Sequence, residues 1–300
     1  MRFIHGWTED TATIAVEGLQ HTVRMLQVTD SHIALIDQRD SDYMEVCADY
    51  CKRMRTKRKD CEGNYISPED SFAEAMEKAA SLDLDLLALT GDIIFFPSQA
   101  NVEHVKTWSD KVKVPKLYTA GNHDWCYPNL NFNDELRREW WPALEPLHGG
   151  DTGYAALDIK GIRFIAIDDS TYQINETQLE FTKSQLRAGL PTVLLTHIPL
   201  SIATLRATTI DIWGDPILVG DPDWDLPRRE KWGTRGDTAT TLEFVRLMSG
   251  TSNLAAIFCG HLHFHHADTL RPHTLQYVGL PGFLGGMRLV EFRPLVPGIC

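Results

Sequence analysis

The sequence lacks the long apolar segments that a membrane protein or a secreted precursor carries. No apolar run reaches the roughly 18 residues that a membrane-spanning helix needs. Residues 1–18 contain no apolar core of a secretory signal, so we expect a cytoplasmic chain without a membrane span. Hydrophobic residues make up 43% and charged residues 23% of the 300 residues, which is typical of a globular protein with a buried core.

Positive charge is also in short supply. The chain carries 29 lysines and arginines against 41 aspartates and glutamates, which gives a net charge of −12. This balance argues against a surface that binds nucleic acid polymers nonspecifically. A small phosphorylated substrate is compatible with it, because bound metal ions can reverse the sign of the local charge. The composition favours no particular oligomeric state.

Cysteine provides no recognisable metal motif. None of the six cysteines stands in a C-x-x-C spacing, so a thiolate zinc site is not expected. Cys47, Cys51 and Cys61 are close in sequence, which leaves two alternatives open: a disulfide, or free and partly buried thiols.

Short apolar runs alternate with helical patterns along the chain. Near-continuous apolar runs are typical of strands buried on both faces of a sheet, and their alternation with helices predicts a layered α/β domain. Ser67 followed by Pro68 marks the start of a helix. The predicted strands are 23–29, 84–90, 116–120, 162–168, 192–196 and 254–259, with a hairpin at 153–168, tail strands at 274–278 and 287–292, and further helices at 99–112, 176–188 and 238–248.

Two stretches are interpreted as insertions into one domain that spans residues 1–300. Residues 41–66 show a helical stripe and the basic run 52–59, which either recruits an anionic substrate or forms a solvated helix face. Residues 201–237 show no clear period, and so long a segment is usually functional or mobile. Its tryptophans and arginines either form a lid that stacks a base and grips phosphate or simply pack the loop; they are Trp213, Trp224, Trp232, Arg228, Arg229 and Arg235.

Polar side chains follow five of the predicted strands at their carboxyl ends. In open α/β sheets this edge is where ligands bind, so we expect these side chains to converge. Glycine precedes three of them, which lets the backbone turn sharply and approach a ligand closely. The residues are Asp30, His32, Asp92, Asn122, His123, Asp124, His197, His261 and His263.

These residue types indicate a metal site. Imidazole and carboxylate without thiolate suit manganese, iron or zinc. Seven ligands are too many for one tetrahedral ion and fit two ions that share a bridging carboxylate, and ions roughly 3.5–4 Å apart can hold a bridging hydroxide and the oxygens of a phosphoryl group. His265 and His266, which follow the last motif, are expected to be solvated or structural.

The order D-x-H, GD, GNHD, H and GHxH over residues 30–263 resembles the calcineurin-like metallophosphoesterase superfamily. The resemblance implies a four-layer α/β/β/α sandwich with two central mixed β-sheets. It implies that His123 contacts the phosphate or protonates the leaving oxygen, and that Asp124 orients His123. The implied ligands are Asp30, His32, Asp92 and His263 for a first ion, and Asp92 as the bridge with Asn122, His197 and His261 for a second.

Departures from the better-known branches narrow this resemblance. The chain has neither the GDxVDRG motif nor the GNHE motif of protein Ser/Thr phosphatases, and Phe95 stands where purple acid phosphatases carry a tyrosinate ligand. The pattern is most similar to class III cyclic-nucleotide phosphodiesterases and glycerophosphodiesterases. We therefore expect a phosphodiesterase that uses a metal-bridging hydroxide on a small phosphorylated substrate. A phosphomonoesterase or nucleotide pyrophosphohydrolase is the alternative, and a non-catalytic scaffold is disfavoured because every motif position is filled.

Overall fold

Two mixed β-sheets of six strands each lie at the centre of the fold in the computed structural model, which describes residues 1–130, 132–148 and 153–296. The predicted core strands, the hairpin and the tail strands are confirmed to within a few residues. In chain order the strands are β1 (Phe3–Trp7), β2 (Thr11–Val16), β3 (Val23–Val28), β4 (Arg58–Lys59), β5 (Tyr65–Ile66), β6 (Leu86–Thr90), β7 (Lys116–Thr119), β8 (Tyr154–Ile159), β9 (Ile162–Ile167), β10 (Thr192–Leu195), β11 (Leu254–Cys259), β12 (His266–Arg271), β13 (Thr274–Val278) and β14 (Arg288–Pro294).

The strand order explains why several strand ends meet. The first sheet has the order β1-β2-β14-β3-β6-β7 and the second the order β12-β13-β11-β10-β9-β8. Strands β3, β6 and β7 are parallel neighbours, and so are β9, β10, β11 and β13. The carboxyl ends of these parallel strands therefore lie along one edge of each sheet.

The helices begin where the sequence supplies capping side chains. The Ser67 hydroxyl accepts a hydrogen bond from the backbone N–H of Asp70, and Asn175 and Gln178 form a reciprocal capping box. Among the described residues the helices are α1 (Met44–Met54), α2 (Pro68–Ser81), α3 (Gln99–Ser109), α4 (Asp134–Trp140), α5 (Glu145–His148), α6 (Glu176–Leu186), α7 (Ala203–Trp213), α8 (Leu226–Lys231) and α9 (Ala239–Gly250), with 3-10 turns at Gln38–Tyr43, Trp141–Leu144 and Gly282–Leu284.

Three apolar clusters arrange these elements in four layers. The inner faces of the two sheets pack against each other, with Phe164 of β9 edge-on to Phe292 of β14 at 5.7 Å between ring centroids. Helices α2 and α3 bury residues such as Met76 on the outer face of the first sheet. Helices α6, α7 and α9 bury residues such as Phe244 on the outer face of the second. The predicted α/β/β/α sandwich is therefore confirmed.

Some elements differ from the sequence prediction. Strands β1, β2 and β12 were not predicted, because they mix polar with apolar residues. The helical stripe predicted within 41–66 is confirmed as α1. Residues 201–237 were read as having no clear period, yet they form α7 and α8. Helix α7 buries only Leu205 and Thr209, so it has no continuous apolar stripe to reveal it.

Two further expectations concern the whole chain. Within the described ranges, the helices lack the combination of length and apolarity that would let any of them cross a membrane. Cys47, Cys51 and Cys61 are free thiols, so these three form no disulfide. Cys300 lies outside the described residues.

Candidate metal centre

The loops that follow the parallel strands bring the predicted ligands into two adjacent clusters. Each cluster offers three side-chain ligand atoms that all lie within 4.8 Å of one another. These side chains are buried except for His263, whose side chain is 27% exposed. The first cluster is Asp30, His32 and His263, and the second is Asp92, His197 and His261.

The first cluster joins the loop after β3 to the loop after β11. The Nε2 atoms of His32 and His263 lie 2.9 Å apart, and Oδ1 of Asp30 lies 3.3 Å from Nε2 of His263. Both oxygens of Asp30 also accept a hydrogen bond from the backbone N–H of His261. A carboxylate oxygen and two imidazole nitrogens thus converge on one point, which is the donor set that a transition metal ion or zinc prefers.

The second cluster is oriented by a hydrogen bond from the neighbouring strand. Nδ1 of His197 lies 2.9 Å from the backbone oxygen of Thr90, so it donates its proton there and leaves Nε2 as the free nitrogen. That Nε2 lies 3.3 Å from Oδ2 of Asp92 and has no hydrogen-bond partner among the described residues. A hydrogen bond from one ring nitrogen to a backbone oxygen fixes the tautomer of a metal-binding histidine and leaves the other nitrogen for the ion.

Asp92 connects the two clusters. Its Oδ2 lies 3.6 Å from Nε2 of His32 and 3.3 Å from Nε2 of His197. Its Oδ1 accepts a hydrogen bond of 2.8 Å from the backbone N–H of His123. One carboxylate oxygen therefore faces both clusters, as a bridging ligand between two ions requires.

Asn122 supplies an independent test of whether the site fits metal ions. Its side-chain oxygen Oδ1 is fully buried and has no hydrogen-bond partner among the described residues, and Asn122 lines the same cavity as Asp92 and His261. A buried amide oxygen without a partner is costly, and a cation in the second cluster would satisfy it. The residues present therefore fit two metal ions.

The electrostatics of the site also favour cations. Burial alone would raise the pKa of Asp92, but His197 and His123 beside it lower that pKa well below its usual range. Burial opposes protonation of His197, yet the charge of Asp92 raises the pKa of His197 to about 10. The Asp92 carboxylate therefore stabilises a positive charge on His197. A metal ion can take the place of the proton that carries this charge.

His123 lies at the site without belonging to either cluster. Its ring packs against Phe95, His32 and Trp232 at centroid distances of 4.7, 5.1 and 5.6 Å. It makes no hydrogen bond to the described residues through its ring nitrogens, and it lines the cavity with Asp92. The ring is therefore placed to meet a substrate rather than to hold an ion.

The role predicted for Asp124 needs correction. Its two carboxylate oxygens accept hydrogen bonds from the backbone N–H groups of Gly121, Asp92 and Ile94, and none of the described bonds reaches the ring of His123. Burial and the charge of Asp92 raise the pKa of Asp124 to about 7. Asp124 therefore holds the loop that carries Asp92 and the turn at Gly121 that carries His123, and its carboxylate makes no direct bond to the His123 ring among the described residues.

The backbone is strained where the predicted ligands lie. Nine described non-glycine residues have a positive φ, and five of them are predicted ligands. L-residues avoid this left-handed region at a cost of roughly 1–2 kcal/mol each, and such strain concentrates at functional sites. The five are Asp30 (φ 50°), His32 (φ 44°), Asp92 (φ 49°), His261 (φ 71°) and His263 (φ 60°).

Two glycines are required by close approach, as the sequence indicated. A Cβ atom at Gly121 would overlap the carboxylate of Asp92, and one at Gly260 would overlap the side chains of Thr29 and Asp30. The ligand side chains therefore occupy the space that any other residue at these positions would need.

A cavity of about 80 Å³ opens onto the two clusters, and residues of 201–237 form part of its wall. Trp213 lies edge-on to His263 at 5.7 Å and Trp232 edge-on to His123 at 5.6 Å. Arg228 lines the same cavity and donates a hydrogen bond of 2.9 Å to the backbone oxygen of Trp213. Trp213, Trp232 and Arg228 thus lie where a lid would have to be, and their action on a substrate stays a prediction.

The other residues considered for this lid have different surroundings. Trp224 is 6% exposed and donates to the backbone oxygen of Leu218. Arg229 is buried and donates to the backbone oxygen of Asp221, and the side chain of Arg235 is 87% exposed.

Tyr172, which belongs to none of the sequence motifs, also lines the cavity. Its hydroxyl lies 3.2 Å from Nε2 of His261. Strand β9 ends just before Asp168, Asp169 and Tyr172, so it is a further strand that delivers polar groups at the same edge. A count of Asp, Asn and His after every strand would have found Asp169, whose carboxylate accepts from the backbone N–H of His197.

The remaining histidines and the basic run have structural contacts. His265 bonds to Arg288 through Nδ1 at 2.7 Å, and His266 lies 3.5 Å from Asp268. In the basic run, Arg55 pairs with Glu69 and Arg58 with Glu74. These contacts agree with the solvated and structural interpretations.

The chain is similar to known proteins in sequence and in fold. A model of the calcineurin-like phosphoesterase family matches residues 23–265. The chain is similar to a dimetal phosphatase from Danio rerio at 13% identity, over 87% of this chain and 88% of that chain, with a TM-score of 0.54. It is similar to a purple acid phosphatase from yellow lupin (Lupinus luteus) seeds at 14% identity, over 96% of this chain and 48% of that chain, with a TM-score of 0.51. At these identities the structural likeness concerns the fold alone. A comparison with curated proteins gives no match.

Proposed function

Since the chain belongs to the calcineurin-like phosphoesterase family, we propose that it hydrolyses phosphoric esters with two bound metal ions and prefers phosphodiesters. The observation that supports this most strongly is the position of Asp92, whose Oδ2 faces both ligand clusters. When bound, the two ions supply Lewis-acid neutralisation of the phosphoryl oxygens and a water of lowered pKa. Manganese, iron and zinc suit the donor set. The ligands would be Asp30, His32, Asp92 and His263 for one ion and Asp92, Asn122, His197 and His261 for the other.

His123 is the proposed proton donor to the leaving oxygen. Its ring is packed between Phe95 and Trp232 and its nitrogens are not engaged by the described residues. The backbone N–H of His123 binds Oδ1 of Asp92, so the ring is held at a fixed position next to the shared carboxylate. A positioned imidazole of this kind typically contributes a factor of 10²–10⁴ to the rate.

The wall of the cavity supports a diester as substrate. The cavity of about 80 Å³ has room for a phosphoryl group beside the two ligand clusters. Aromatic rings lie at two places on its wall, Trp213 beside His263 and Trp232 beside His123. A phosphodiester carries an organic group on each of two ester oxygens, and each could pack on one of these rings.

A second, larger cavity lies among the described residues and could accommodate one of the two organic groups of a diester. It has a volume of about 600 Å³ and is lined by Thr171, Gln173 and Gly233. These are the chain neighbours of Tyr172 and Trp232, which line the small cavity. Residues adjacent in sequence thus line the two cavities, and we propose that one organic group of a diester extends past Trp232 toward the larger cavity.

Arg228 favours the alternative function, hydrolysis of phosphomonoesters or pyrophosphates. Its guanidinium lines the small cavity, and its nearest carboxylate, Asp215, lies 3.9 Å away, which is too far for a hydrogen bond. An arginine whose guanidinium has N–H groups not bonded to a carboxylate would stabilise the second negative charge of a phosphomonoester. The diester and monoester proposals therefore differ in how much charge the substrate presents to Arg228.

Hydrolysis of bis(p-nitrophenyl) phosphate and p-nitrophenyl phosphate, each with and without Mn²⁺ after chelation, tests the proposal. We expect metal-dependent turnover of both esters with a higher kcat/KM for the diester. A higher kcat/KM for the monoester would replace the proposal by its alternative. Turnover that survives complete removal of metal would contradict both.

A further inference from the structure

We propose that the hydroxyl of Tyr172 has two functions in this site: it accepts a hydrogen bond from the metal ligand His261, and it donates one to a phosphoryl oxygen of the substrate. The inference rests on the proposed function, because it presumes a phosphoryl group in the small cavity. It adds to the site a group that none of the sequence motifs contains.

The geometry places the hydroxyl between a ligand and the cavity. Tyr172 is 1% exposed, so its hydroxyl is not a solvent-directed tip. Its oxygen lies 3.2 Å from Nε2 of His261, and the ring centroids of the two residues are 5.5 Å apart at 77°. Tyr172 also lines the cavity together with Asp92, Asn122 and His123.

The direction of the hydrogen bonds follows from the chemistry of the two groups. An imidazole that binds a metal through one nitrogen carries its proton on the other and almost always donates it to a nearby acceptor. Here that acceptor is the phenol oxygen, so Nδ1 of His261 is the nitrogen left for an ion. A phenol has one proton to donate, and no other described residue takes it, so this proton is available to a phosphoryl oxygen.

The segment that carries Tyr172 is built to hold it in place. Its φ of +61° lies in the left-handed region, which non-glycine residues avoid unless the surrounding structure holds them there. Its backbone N–H donates to the backbone oxygen of Asp169 at 2.7 Å. The Asp169 carboxylate in turn accepts from the backbone N–H groups of His197 and Ile198. The loop after β9 is thus fastened to the loop that carries a ligand.

Packing alone does not account for this arrangement. The ring of Tyr172 lies edge-on to Trp224 at 4.6 Å, and a phenylalanine would fill that space equally well. The hydroxyl of Tyr172 adds nothing to this packing, and a buried polar group destabilises the fold unless it is hydrogen-bonded. Its bond to His261 and its place on the cavity wall give it a use in binding and catalysis.

The test compares Tyr172→Phe with the matched control Tyr277→Phe. Tyr277 is also fully buried, and its hydroxyl lies 2.9 Å from Nδ1 of His5, so each variant loses one tyrosine–histidine hydrogen bond made by a buried tyrosine. Three quantities are measured for each protein: the Kd of the more weakly held Mn²⁺, the Kd of inorganic phosphate at saturating Mn²⁺, and kcat and KM for the better ester. Thermal melting shows whether both variants fold.

Tyr172→Phe is expected to weaken Mn²⁺ binding roughly tenfold or more, to weaken phosphate binding roughly tenfold, and to lower kcat/KM for the better ester. Tyr277→Phe should change none of these. An unchanged phosphate Kd in Tyr172→Phe at saturating Mn²⁺ overturns the proposal. Equal effects of the two variants overturn it as well, since they would point to a general loss of packing. If the wild type cleaves neither ester, the proposed function fails, while the two Kd values still decide the role of Tyr172.

Discussion

The Nε2 atoms of His32 and His263 lie 2.9 Å apart, although 231 residues separate them in the chain. Two imidazole lone pairs cannot face each other at this distance without a proton or a cation between them. Burial lowers the pKa of His32 well below its usual range, so its ring is neutral and can offer the lone pair of Nε2 to a metal ion. A metal ion is the cation that suits this pair, since Asp30 adds a carboxylate oxygen 3.3 Å from His263.

The first prediction concerns the pair of His32 and His263 and the loss of one of these two side chains. His263→Ala should lose one of the two ions and retain the other, because Asp92, His197 and His261 form a separate cluster. Metal content per chain, measured after loading with Mn²⁺ and desalting, is the readout. His266→Ala is the matched control, since His266 belongs to the same histidine-rich stretch but lies against Asp268. Loss of both ions or of neither in His263→Ala would contradict the division into two clusters.

The second prediction separates His123 from the ligands. His123→Ala should keep both ions and lose turnover by a factor of about 10²–10⁴, because its ring lines the cavity outside both clusters. Metal content and kcat are measured on the same preparation. Wild-type turnover in this variant would remove His123 from the mechanism, and a lost ion would move it into the ligand set.

The third prediction concerns the close packing around the ligands. Gly260→Ala should destabilise the fold by about 1–3 kcal/mol, because the added Cβ would overlap the side chains of Thr29 and Asp30. Gly250→Ala is the control, since a Cβ there has open space. Denaturant unfolding of the metal-free proteins gives the difference in the free energy of unfolding. Equal stability of the two variants would show that the loop at Gly260 yields more easily than the structure indicates.

The fourth prediction is a pH dependence far from the metal centre. Burial lowers the pKa of His5 to about 4. The hydrogen bond from its ring to the backbone oxygen of His273 acts in the opposite direction and is the smaller effect. The unfolded chain therefore binds more protons at His5 than the folded chain between about pH 4 and 6.5. Stability from this residue is complete above pH 6.5 and is lost as the pH falls through 4.

The variant His5→Gln tests this pH dependence, because glutamine keeps a polar group at position 5 and does not titrate. Between pH 6.5 and 4 the wild type should lose about 1–2 kcal/mol more of its free energy of unfolding than the variant, after allowance for the partial exposure of the ring. Urea unfolding at several pH values gives both curves. Parallel curves would show that His5 is protonated as readily in the folded state as in the unfolded chain.

The sequence could indicate which side chains lie together at this site, because their pattern is local. Asp92 and His261 each follow a buried apolar strand and a glycine, and both features are visible in the letters alone. The pairing of β3 with β6 and of β10 with β11 then brings the strand ends together. The layered fold could be predicted for the same reason, since apolar runs and capped helices are local signals.

Other parts depend on contacts between distant segments and could not be read from the sequence. The motif GNHD suggested that Asp124 orients its neighbour His123, whereas its carboxylate binds the backbone at Asp92 and Ile94. Tyr172 stands in none of the sequence motifs, and only the folded loop shows that its hydroxyl lies beside His261. A short helix such as α8 depends on packing of the whole 201–237 segment and has no stripe of its own.

The metal content of the wild-type chain tests the central claim most directly. The claim is that one oxygen of Asp92 faces two ligand clusters, 3.6 Å from His32 and 3.3 Å from His197, and so joins a pair of ions. Protein stripped with chelator, reloaded with Mn²⁺ and desalted should retain about two ions per chain. A single retained ion would contradict the paired site, and no retained ion would contradict the metal centre itself.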